Sequence, residues 1–140
     1  AKTIAVTGST ISQWAAGGNQ AAALQAEIAS FKPSIVFISL GTNDANNGVS
    51  VSKKKKKAAS LISSLGSAKV FWMGPPKSQT IPDAKVIAVS TGIASTAGGQ
   101  FFNTYTQLPT ITSGSTDGIH PTAAGYTNMA NSAWNFCGGS

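Results

Sequence analysis

Short apolar runs alternate along this chain with stretches whose apolar positions recur every three or four residues. Thr3-Ile4-Ala5-Val6 is a β-rich run ending at Gly8. Residues 11–31 read as helical, with Leu24, Ile28 and Phe31 on one face and Lys32-Pro33 as the stop. Ser34-Ile35-Val36-Phe37-Ile38-Ser39-Leu40 is nearly continuous in apolar residues, as in a parallel strand buried on both faces. It ends at the turn signal Gly41-Thr42-Asn43-Asp44. A polar loop is expected over 45–52, then a helix over 53–65 with Ala58, Leu61, Ile62 and Leu65 inward. A strand over 68–73 closes at Gly74-Pro75-Pro76. A helix over 83–97, a short strand over 100–105, a long Ser/Thr/Gly loop to Pro121 and a last helix over 122–136, capped by Thr122, complete the series.

Alternation of strand and helix implies a parallel sheet covered by helices on both faces. Right-handed crossovers bring the strand C-termini to one edge, where ligand sites of such sheets lie. The expectation is therefore an α/β domain with three layers, α/β/α, spanning residues 1–140 without repeat or linker.

Composition narrows the function. The chain has 140 residues, 41% of them hydrophobic, enough for one core. Its net charge is +6, yet charged residues make up only 10% and none is arginine. Arginine is the preferred fork for phosphate and guanine edges, so its absence argues against nucleic-acid binding. Five of the ten lysines stand consecutively at 53–57. Five in a row point all around a helix, and the run reads as a solvated helix start. Cys137 is the sole cysteine and reads as a small apolar residue near the chain end. No apolar stretch reaches the eighteen or so residues of a membrane span. Low charge with abundant Ser, Thr, Ala, Gly and Asn suits a secreted or virion-borne protein. Trp14, Trp72 and Phe102 read as core.

Three strings carry candidate chemistry. Asp117-Gly118-Ile119-His120-Pro121 holds the only histidine and one of four acidic residues. A carboxylate three residues before an imidazole, on a tight loop, orients the ring and stabilises the imidazolium formed when it takes a proton. Asn43, in Gly41-Thr42-Asn43-Asp44, ends the best strand, where a side-chain amide can face a developing oxyanion. Gly8-Ser9-Thr10 also follows a strand, and a glycine N–H there can approach a reacting carbonyl closely. Read singly, each string is equally a plain turn.

Together, in order and residue type, the three strings resemble the SGNH, or GDSL, hydrolases, a family of serine esterases. Gly41-Thr42-Asn43-Asp44 looks like the family's GxND block. Asp117-Gly118-Ile119-His120 looks like its DxxH block, and Pro121-Thr122-Ala123-Ala124-Gly125-Tyr126 is similar to the continuation into the last helix. The resemblance implies a flavodoxin-like SGNH architecture and Ser–His–Asp ester hydrolysis without a cofactor. His120 would be the base, Asp117 its partner, and Asn43 and the Gly8 N–H the oxyanion donors. One departure is marked: the sequence contains no Gly-Asp-Ser, the family's nucleophile motif after its first strand. Two accounts follow. The domain is incomplete at the N-terminus, with first strand and nucleophile supplied by a partner chain or another segment. Alternatively Thr7-Gly8-Ser9-Thr10 is a degenerate first block with Ser9 or Thr10 as nucleophile, which leaves too short a stretch before Asn43. An open strand position invites pairing with another chain.

The leading reading is an acyl or acetyl esterase acting on a carbohydrate or other small ester. The competing one is a non-catalytic SGNH-like module for binding or assembly on a virion or cell surface. A nucleotide-binding reading has only Gly17-Gly18-Asn19 as a phosphate loop, wrongly placed between elements. One histidine and no cysteine cluster make no standard zinc site.

Overall fold

In the computed structural model, which describes residues 1–48, 50–110 and 116–138, a parallel sheet of three strands carries helices on both faces. In chain order the elements are α1 (Ile11–Trp14), α2 (Ala21–Phe31), β1 (Ile35–Ser39), α3 (Thr42–Asn47), α4 (Val51–Ser64), β2 (Lys69–Met73), α5 (Asp83–Ala97), β3 (Phe101–Phe102), α6 (Thr104–Gln107) and α7 (Ala123–Phe136). A single 3-10 turn, Gly98–Gln100, links α5 to β3. The sheet order is β1-β2-β3, with Ile35 opposite Lys69 and Met73 opposite Phe102.

Alternation decides what each strand face buries. Val36 and Ile38 of β1 and Val70 and Trp72 of β2 share the face covered by Leu61 of α4, Leu65 just beyond it, Leu24 of α2 and Val86, Val89 and Ile93 of α5. That is the main core. On the opposite face Phe136 of α7 meets the rings of Phe71 and Phe102, at centroid distances of 5.7 and 5.5 Å. This second layer covers β2 and β3 and stops there. On β1, Ile35 remains 53% and Phe37 42% exposed. β1 is also an edge strand, bonded to β2 alone among the described residues.

Helix ends follow local chemistry. Ser50 and Thr122 each accept a hydrogen bond from a backbone N–H three residues on, capping α4 and α7. α2 stops at Lys32, whose φ of 50° precedes Pro33.

Several expectations need correction. Residues 3–6 form no strand; they join no ladder, and a strand exists only through its neighbours. The helix expected over 11–31 is two, separated by 15–20, where Gly18 approaches the Gln13 backbone too closely for any Cβ. Phe31 is exposed rather than inward. The turn expected at 41–44 and the start of the polar loop expected over 45–52 form α3, and the strand expected over 100–105 keeps two residues because Asn103 caps α6. Part of the long loop before Pro121, residues 111–115, lies outside the described residues. The lysine run is not uniformly solvated: Lys54 is buried.

Candidate active site

Two loops at the C-terminal edge of the sheet, and the turn before α1, build the site. The first loop leaves β1. Trp72 Nε1 donates to Leu40 O at 3.0 Å, fixing the strand end. Gly41 then turns with φ 137°, packed so closely on Pro75 that an added Cβ would lie 2.8 Å from its ring. Asn43 follows in the first turn of α3 and donates from Nδ2 to Ser9 O at 3.3 Å. An amide nitrogen carries two N–H groups, so the second remains to reach an oxygen in the adjoining groove.

The turn at residues 8–11 is held from several sides. Ser9 N donates to Val6 O, and Trp14 Nε1 donates to Ser9 Oγ at 2.9 Å. Ile11 N donates to both Asp44 carboxylate oxygens, at 3.1 and 3.3 Å. The Lys54 ammonium stands 3.2 Å from Asp44 Oδ1. Burial pushes that ammonium below the usual lysine range, and the Asp44 charge opposes the shift.

The second loop carries Asp117 and His120. Asp117 Oδ2 lies 2.5 Å from His120 Nδ1. Its other oxygen accepts the backbone N–H groups of Ile119 and His120, each at 2.9 Å. The His120 ring bond first, then the two backbone N–H groups, hold the Asp117 carboxyl well below the usual carboxylate range. An ionised Asp117 fixes Nδ1 as the protonated nitrogen and leaves Nε2 to accept a proton. The His120 side chain is 70% exposed.

A clamp positions this loop. Ser78 Oγ donates to Gly118 O at 2.7 Å and accepts from Thr80 N and Ile81 N at 3.0 Å each. Gln79 N also donates to Gly118 O, and Thr80 Oγ1 donates to Asp117 O at 2.8 Å. Gly118 has φ 68°, and a Cβ there would meet Thr80 Oγ1 at 2.5 Å. Only glycine fits.

Between residues 4–6 and β1 lies a groove of about 350 Å³. His120, Asn43 and Ser9 all line it, with Ile119, Pro121, Tyr126 and Met129 on the α7 side. The structure therefore brings together three of the five site residues read from the sequence. Asp117 braces His120 from outside the lining, and Gly8 sits in the adjoining turn with φ 71°. Ser9 is largely covered, its hydroxyl engaged by Trp14. Trp14 and Trp72 are buried core, Trp14 also touching the groove. Ser78, Thr80 and Lys54 were not singled out by sequence reasoning. Hydroxyl-to-backbone bonds across some forty residues leave no pattern, whereas Lys54 falls in register with Ala58, Leu61 and Leu65, a helical stripe that could have revealed it. Among the described residues no group of three or more His, Cys, Asp or Glu could hold a metal ion, and no helix is long and apolar enough to cross a membrane.

A family model for the GDSL-like lipase/acylhydrolases matches residues 2–127. Among solved structures, the lipase/acylhydrolase from Enterococcus faecalis is similar, with a TM-score of 0.74 and 22% identity, over 94% of this chain and 72% of that one. No curated protein matches the chain.

Proposed function

Because the chain belongs to the GDSL-like lipase/acylhydrolase family, a membership that supports a hydrolase or esterase function, we propose a serine-type mechanism. In it His120, oriented by Asp117, activates a serine hydroxyl supplied by a segment outside residues 1–140. The carrying observation is the Asp117 carboxyl bonded to His120 Nδ1, with the His120 ring and the Asn43 amide on one groove. His120 Nε2 takes the serine proton as Oγ bonds to the ester carbonyl carbon. The carbonyl oxygen becomes an oxyanion, met by the second Asn43 N–H and the Gly8 backbone N–H. His120 then returns the proton to the departing alkoxide. Water, deprotonated by the same ring, hydrolyses the acyl-serine in a second round, and the serine leaves with its proton restored. No cofactor enters. The apolar lining from Ile4, Val6, Phe37 and Met129 suits the acyl part of a small ester, such as an acetylated carbohydrate.

Support for an outside nucleophile comes from β1. Its free edge and exposed Ile35 and Phe37 offer a place for one more strand, while the hydroxyl of Ser9 is already engaged. The test is labelling with a fluorophosphonate, followed by peptide mapping. The expected adduct lies on a serine outside residues 1–140, and His120→Ala abolishes both adduct and hydrolysis. An adduct on Ser9 would overturn the outside nucleophile. No adduct on any peptide would leave a binding or assembly module instead.

A further inference from the structure

One lysine of the consecutive five has a role the other four cannot share. Lys53, Lys55 and Lys56 are exposed and Lys57 is half-buried, but Lys54 is only 2% exposed. It occupies the inward stripe of α4 with Ala58 and Leu61, continued by Leu65 at the helix end. Its stem is covered by α5, which approaches so closely at Gly92 that a Cβ there would meet Lys54 Cβ at 3.5 Å and Val51 O at 3.3 Å. An aliphatic residue would fill this position without the desolvation cost of an ammonium.

What the ammonium meets is Asp44, itself 4% exposed. Asp44 and its neighbour Asn43 both reach back to the turn before α1. Asp44 takes the Ile11 N–H, and Asn43 gives a hydrogen to Ser9 O. Two adjacent side chains of α3 thus hold two positions of the 8–11 segment. Without Lys54 the Asp44 carboxylate would be a buried charge with only a backbone N–H for company, and it would turn toward water. That movement would draw Asn43 and the Ser9 carbonyl with it. We propose that Lys54 is a positioning residue: through Asp44 it holds Asn43 and the Gly8–Ser9 turn, the oxyanion side of the groove, in the geometry they show. Its catalytic consequence rests on the esterase reading; its structural part does not.

The test compares Lys54→Met with Lys55→Met, its exposed neighbour, by NMR on the full chain. The signals are the Asn43 side-chain amide, the Ile11 backbone amide and, as reference, the amides of α7. Lys54→Met is expected to move the Asn43 and Ile11 signals and leave α7 in place, while Lys55→Met moves none of them. Should Lys54→Met not fold, Lys54→Gln, which removes the charge but keeps a hydrogen-bond donor of similar length, takes its place, and the same two signals are expected to move. Unchanged Asn43 and Ile11 signals in whichever variant folds overturn the proposal. In the form that takes the fluorophosphonate label, Lys54→Met should lower kcat by about 100-fold, the scale for a catalytic group displaced by about 1 Å, with KM little changed. Absence of hydrolysis in that form without the substitution would sink the esterase reading alone, because the NMR comparison still decides the role of Lys54.

Discussion

Ser78→Ala is the sharpest probe of how the Asp117–His120 loop is held. The hydroxyl makes three hydrogen bonds from a position 8% exposed, and the three are not equal. Gly118 O keeps a second donor, Gln79 N, so losing Ser78 leaves it satisfied. Thr80 is exposed, and its N–H can turn to water. Ile81 is buried, and its N–H would be left without a partner. An orphaned buried N–H costs about 1–3 kcal/mol, and a lost hydrogen bond with solvent access about 0.5–1 kcal/mol. The sum is about 2 kcal/mol, or a fall in Tm of about 8 °C for a domain of this length. Thermal melts followed by circular dichroism, with urea unfolding as a second measure, read this directly. Thr80→Val, which removes one exposed bond to Asp117 O, is the control and should cost under about 1 kcal/mol. If the esterase reading holds, Ser78→Ala should also slow fluorophosphonate labelling at temperatures where it stays folded. A melt within about 1 °C of the unsubstituted protein, far inside the shift expected from an orphaned N–H, would refute the clamp.

Under the proposed mechanism, Asn43→Ala should lower turnover by about 100-fold or more, the scale for one lost oxyanion donor, and an unchanged rate would remove Asn43 from it. Asp117 predicts a pH effect on stability. Its folded carboxyl sits below the ordinary range because of the His120 ring and two backbone N–H groups. A depressed acid stabilises the fold above its unfolded pKa, about 3.9, and that contribution is lost as pH falls further toward the folded value. Asp117→Asn should therefore lose less Tm between pH 7 and pH 3 than the unsubstituted chain; equal losses would contradict the hydrogen-bonded carboxylate.

The parts legible in the sequence share a physical cause. α4, α5 and β2 bury a continuous stripe or run, and burial writes itself into the spacing of Leu61 and Leu65, or of Val70 and Trp72. Residues 3–6 look as β-rich as Lys69–Met73, yet a strand requires a partner, and partners are not encoded locally. α3 was hidden because Thr42-Asn43-Asp44 reads as a turn; Asp44 accepting from Ile11 N and standing against the Lys54 ammonium is a tertiary event. Of the residues the sequence singles out, His120 and Asn43 do line one groove and Asp117 is bonded to His120, since a strand end and a tight loop can be placed from local pattern. The supports of the site were not legible. Ser78 and Thr80 are ordinary loop residues until the fold brings them to Gly118 and Asp117.

The open edge of β1 constrains the proposed mechanism further. Natural edge strands are blunted with lysine, proline or a bulge, and Ile35-Val36-Phe37-Ile38-Ser39 has no lysine or proline. Such an edge favours pairing, and direction then decides what the added strand brings. A strand running parallel to β1, as β2 does, would end beside Gly41 and Asn43, where the groove meets His120. An antiparallel strand would end beside Ser34, at the far edge of the sheet. Under the proposed mechanism the nucleophile therefore belongs at the C-terminal end of a parallel strand with alternating apolar residues, one set facing Leu61 and Leu65, the other lying level with Ile35 and Phe37. The same insertion would cover Ile35 and Phe37 and give residues 3–6 the neighbour their composition anticipates. Completion of the sheet and arrival of the hydroxyl are then one event, and the exposed His120 is poised beside the place where it would occur.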